Sequence, residues 1–155
     1  MRHSLYLLFA VAIQSLSCAD VTRFPVEERR VLQDSSRFHE IHSIHGLPSA
    51  IVKLCAEDGH IADPGQNWTA TDAIMDPTLP AKPLIWAAFG GEYYVVHYER
   101  GGIAHTYHIL VAKLTKDDVK PKLLWRSVGG PFKDYAAFLD ALQKGKLDDR
   151  LDYPH

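Results

Sequence analysis

The chain is 155 residues long, 46% hydrophobic and 23% charged, an ordinary globular composition of about one domain that excludes disordered, collagen-like and low-complexity scaffolds. Seventeen Lys and Arg against nineteen Asp and Glu leave a formal charge of −2, so no overall positive field draws in nucleic acid or an anionic membrane.

In chain order the first predicted element is a secretory signal peptide over residues 1–19. Arg2 and His3 precede the apolar run Leu5 to Ile13, and Ser17 and Ala19 supply the small residues for cleavage before Asp20. The run extends about 14 Å as a helix, roughly half of a hydrocarbon core, which is too short to span a membrane. The alternative is lipid anchoring through Cys18, but Ser15 stands where a lipoprotein signal carries Leu. The predicted destination is therefore export, to the periplasm or the medium, with no integral membrane segment left after cleavage. Cleavage leaves Cys55 as the sole cysteine, so no intramolecular disulfide forms even in an oxidising compartment and the core alone must hold the fold.

Residues 20–36, with Glu27-Glu28-Arg29-Arg30, read as a polar N-terminal arm or short surface helix. Residues 37–147 read as a single α+β domain and 148–155 as a C-terminal tail. Phe38, Ile41 and Ile44 recur every three residues, a helical spacing that Gly46 interrupts. A second helix is predicted from Leu47 to about Glu57, with Leu47, Ile51, Leu54 and Cys55 along one side and Asp58-Gly59 as its stop. Cys55 in that apolar pattern reads as a buried, inert thiol. Residues 60–82, rich in proline, aspartate and threonine, read as a long loop.

Four β-rich runs follow: Leu84 to Phe89, Glu92 to Arg100, Ile103 to Leu114 and Lys122 to Val128. The pairs Gly90-Gly91 and Gly101-Gly102 between them suit two-residue hairpin turns. After Gly129-Gly130-Pro131, residues Tyr135, Phe138, Leu139 and Leu142 fall on one helical stripe that Gly145 ends. The predicted fold is α+β: a four-stranded antiparallel meander flanked by N-terminal helices and one C-terminal amphipathic helix.

A two-residue turn at Gly101-Gly102 pairs Arg100 with Ile103, Tyr98 with His105 and Val95 with His108. It places Tyr94, Val96, Tyr98, His105, Tyr107 and Ile109 on a core face. The opposite, half-exposed face then carries Tyr93, His97, Glu99, Thr106 and His108 beside Trp86, and a one-residue slip would exchange the two faces. With Trp68 from the loop, these residues form the candidate ligand or partner surface. Histidine is the compositional oddity. His39, His42 and His45 drift about 120° around a helix from first to last, so a Zn or Cu site would combine His39 and His42 with His97 and His108, or with Asp63 or Asp72. The sequence shows no G-x-S-x-G, H-E-x-x-H or paired C-x-x-C signature.

The leading functional expectation is an exported, non-enzymatic binding protein with a protein or small-molecule partner, needing no cofactor and no nucleic acid. Two alternatives stand beside it. One is a histidine-based metal-binding protein. The other is a small hydrolase with His97 as base, Glu99 as its orienter and His108 as a second proton-transfer group.

Overall fold

The computed structural model describes residues 23–56, 60–71 and 76–149. The signal peptide, Cys18, Asp72 and the end of the tail from Arg150 to His155 lie outside the described residues.

The fold is α+β around one antiparallel sheet, and the sheet has five strands where four were predicted. The strands are β1 (His39–Ile41), β2 (Leu84–Gly90), β3 (Tyr93–Arg100), β4 (Thr106–Lys113) and β5 (Lys122–Val128), paired in that order. The added strand comes from the segment whose three-residue spacing predicted a helix. In an extended chain, residues three apart face opposite ways. Phe38 accordingly enters the core on one side of the sheet and Ile41 packs against the core on the other. Because both sides are covered, a three-residue apolar spacing satisfies a strand as well as a helix.

Three α-helices supply the cover: α1 (Val26–Gln33), α2 (Ser49–Cys55) and α3 (Tyr135–Gln143). Helices α1 and α3 close one face over Trp86, Ala88, Val95, Ile109, Val111 and Trp125. Helix α2 and Ile61 close the other over Leu84, Ala87, Val96, Tyr98, Leu110 and Ala112. The predicted stripe of α3 is buried as expected, with Asp134 accepting the Ala137 N–H (2.8 Å) at its start. Its end has Gly145 at φ 62, the left-handed position that glycine takes without steric cost. Helix α2 is shorter than predicted, and the cations Arg126 and Lys82 donate to the Leu54 and Cys55 carbonyls at its C-terminal end, complementing the helix dipole.

The two segments read as an arm and a tail both enter this core. Phe24 stacks on Trp125 with ring centroids 4.7 Å apart, and Leu32 is fully buried. Tyr135 donates from its hydroxyl to the Leu32 carbonyl (2.7 Å), tying α1 to α3. At the other end, Asp148 bridges to Val128, and buried Asp149 accepts from the Trp125 indole N–H (3.0 Å) and the Arg23 amide (2.7 Å). Leu32→Ala is expected to cost about 2–5 kcal/mol in chemical denaturation, as for other buried Leu truncations, while exposed Gln33→Ala stays within about 0.5 kcal/mol. Equal, small effects at both positions would mean that α1 is not part of the cooperative fold.

Candidate functional site

Register decides which side chains meet. The first hairpin turns through Gly91-Glu92, with Gly90 opposite Tyr93 and Gly91 at φ 64, rather than through Gly90-Gly91. That difference is an even number of residues, so the predicted faces of β2 and β3 are kept. In the second hairpin, Arg100 pairs with Thr106 instead of Ile103, and the connection is five residues long. This displacement is odd, so every side chain of β4 changes face. His97 now pairs with Ile109, Tyr98 with His108 and Glu99 with Tyr107. The predicted grouping of His97 with Thr106 and His108 on one face is therefore corrected: the two histidines point to opposite sides of the sheet.

A bulge between Leu84 and Trp86 puts these two residues on opposite faces. Without it, the two would share a face as residues two apart; with it, Leu84 joins the α2 side and Trp86 joins the α1–α3 side beside His97. There the rings of Trp86 and His97 lie 5.3 Å apart. Trp86 donates from its indole N–H to the Phe132 carbonyl (2.8 Å), and the Phe132 amide donates to His97 Nε2 (3.2 Å). His97 Nδ1 lies 2.9 Å from the His108 carbonyl. A carbonyl only accepts and an amide N–H only donates, so these partners select the neutral ring with its proton on Nδ1. Both ring nitrogens are then engaged. His97 is wholly buried, and that burial holds its pKa below the ordinary histidine value, against the opposing effect of the His108 carbonyl. Close approach also fixes the neighbouring glycine: a Cβ on Gly130, whose φ is 116, would lie 3.3 Å from the His97 ring and 3.1 Å from the Phe132 nitrogen.

The other predicted residues are dispersed. Tyr93 shares the His97 face but reaches α1, donating its hydroxyl to Glu28 (2.6 Å), while Lys113 sits over its ring. Thr106 and His108 are hydrogen bonded to each other (2.8 Å), and His108 stacks on Tyr98 at 5.2 Å. His39 packs near Phe89, and His42 lies 3.3 Å from Glu40. Asp63 accepts from the Ile44 amide and the Ser43 hydroxyl, which makes it a loop-organising residue. Among the described residues, no three His, Cys, Asp or Glu side chains converge in a way that could hold a metal ion.

Glu99 does meet an imidazole, that of His105, which had been assigned to the core side. Glu99 Oε1 lies 3.0 Å from His105 Nδ1, and His105 Nε2 lies 2.9 Å from the Ala70 carbonyl. Both ring nitrogens thus face acceptors, so the ring is held between the hairpin and the loop. Trp68 lies beside this contact, its ring 5.9 Å from His105, and the Gly102 amide donates to the same Ala70 carbonyl (3.1 Å). The cluster clasps the proline-rich loop onto the β3–β4 hairpin. No sequence spacing signalled it, because it depends on the hairpin register and on a loop far away in the chain.

Two open concavities flank α2. One, of about 310 Å³, is lined by Ile44, His45, Leu47, Ser49, Val52 and Lys53. The adjoining one, of about 470 Å³, is lined by Ser49, Ala50, Lys53, Leu54, Val119, Lys120 and Pro121. Ser49 and His45 border the first, with Asp63 3.9 Å from His45, but no hydrogen bond links Ser49 to His45 and the histidine side chain is 85% exposed. The linked bonds of a nucleophile–base pair are missing. A third groove, between β1 and α3, carries Glu40 and Asp140, which are engaged by the Tyr135 amide and by Lys144.

Cys55 is buried, and desolvation pushes its thiol up to about 12, outweighing the pull of Arg126 and Lys82 in the other direction. In protein carrying Cys18→Ser, a thiol reagent is therefore expected to label Cys55 only at the rate of opening or unfolding; rapid stoichiometric labelling of the native protein would contradict this. For His97 the native ring stays neutral while the unfolded ring protonates near its reference value of about 6.5. The unfolded state binds the extra proton, so the ring's stabilisation is whole above about pH 6.5 and is lost as pH falls toward the lowered native value, at up to about 1.4 kcal/mol per pH unit. Denaturation curves of wild type and His97→Gln across pH 5–8 are expected to converge toward the acid side; parallel curves would refute the assignment.

No family model, curated protein or solved structure matches the chain.

Proposed function

We propose that this is an exported, periplasmic protein that acts by binding a partner protein rather than by turning over a substrate. Export rests on the charged start, short apolar run and Ser17-Cys18-Ala19 ending of the first 19 residues. The observation that carries the binding reading is the state of His97. The imidazole that sequence made the leading base has both nitrogens bonded within the fold, leaving no lone pair and no access for a substrate. The accessible surface instead offers grooves with exposed aliphatic side chains rimmed by polar ones, and exposed apolar area of that kind can serve as an interaction site. No helix among the described residues is long and apolar enough to cross a membrane.

The test is capture from periplasmic extract on the immobilised mature protein, with elution by free protein and mass spectrometry of what is released. The expected result is one protein, recovered repeatedly, that binds the purified chain with defined stoichiometry in calorimetry. Reproducible turnover in a substrate screen, together with no specifically eluted protein, would overturn the reading.

A further inference from the structure

The grooves flanking α2 form one surface, because both are bordered by Ser49 and Lys53. The surface is apolar, from Ile44, Leu47, Val52, Leu54 and Pro121, and Val119 stands at its edge, 92% exposed. Lys53 and Lys120 border it, and among the described residues no lining residue is Asp or Glu and neither lysine is within ion-pair distance of a carboxylate. Of the acids nearby among the described residues, Asp63 accepts from the Ile44 amide and lies 3.9 Å from His45, while Asp117 and Asp118 are both exposed on the β4–β5 connection, Asp118 accepting from the Thr115 amide (2.8 Å). A chain whose overall charge is −2 thus presents a groove with unpaired cations over an aliphatic floor.

We infer that this α2 flank docks an acidic segment of the partner protein, whose carboxylates meet Lys53 and Lys120 while an aliphatic or aromatic side chain between them enters the groove against Val119. The inference rests on the binding reading above and names the chemistry of its partner. Charge complementarity selects the acidic segment, since two lysines without partners favour carboxylates and disfavour a basic chain. The concave shape favours a protruding side chain over a flat lipid surface, and exposed aliphatic area beside the cations supplies the anchor that charge alone lacks.

The test is titration of ¹⁵N-labelled protein with a short blocked peptide of Glu, Leu and Phe. Its controls are the same peptide with Lys for Glu, and vesicles containing phosphatidylglycerol. The expected result is saturable binding of the acidic peptide, with amide shifts centred on Ile44, Lys53 and Val119, weakened by salt and absent for the basic peptide. Lys53→Glu with Lys120→Glu, and separately Val119→Asp, are each expected to lower affinity about tenfold or more. These positions are exposed, so unchanged spectra elsewhere report an intact fold. No saturable binding, shifts centred on another surface, indifference to these substitutions, or binding of vesicles but not peptide would each overturn the proposal. The titration uses no extract, so its failure leaves a captured partner standing, and a failed capture leaves the groove's peptide result standing.

Discussion

The backbone of one residue, Phe132, is held on both sides by side chains from the middle of the sheet. Trp86 on β2 takes its carbonyl and His97 on β3 takes its amide, while the third polar contact in the group runs from His97 to the His108 carbonyl on β4. Three neighbouring strands and the segment leading into α3 are thereby fixed relative to one another. Inside a core, an amide or carbonyl left without a partner costs more than a satisfied bond contributes, so this arrangement acts mainly through the alternatives it excludes. Any packing of α3 that moved Phe132 would strand the indole, the imidazole and two backbone groups together. The stretch Gly129-Gly130-Pro131 follows from the same demand, since a side chain at Gly130 would press on the His97 ring and the Phe132 nitrogen.

Covering both faces of the sheet removes the wet face on which a sheet-borne site would sit. Trp86, Val95 and His97 are sealed by α1 and α3, while Val96, Tyr98 and Leu110 are sealed by α2 and Ile61. Polar side chains of the inner strands then serve as internal connectors, and the grooves beside α2 lie at the periphery. Helix α2 is central to that shift because it is short. Seven residues suffice to bury Ile51 and Cys55, yet leave Lys53 and part of Val52 and Leu54 facing outward beside the β4–β5 connection. The same brevity leaves its C-terminal carbonyls to be met by Arg126 and Lys82 from the sheet side.

The sequence by itself determined the elements with strong periodicity or glycine punctuation. These are α3, with its four-residue apolar stripe and Gly145 stop; the central part of α2; and strands β2 to β5 in order. It also determined that Cys55 would be buried, because a thiol in an apolar helical pattern has nowhere else to point. Tertiary structure alone decided β1, the two faces of β4 and the face of Leu84 relative to Trp86. Each is a question of parity: whether a three-residue spacing bends or extends, whether a turn holds two residues or five, and whether a bulge inserts one more. A local pattern cannot settle such choices when both sides of the sheet are buried, because either answer places the apolar residues in a core. What settles them is the requirement that distant groups be satisfied together, as Trp86, His97 and Phe132 are, and that requirement exists only once the whole chain has closed around them.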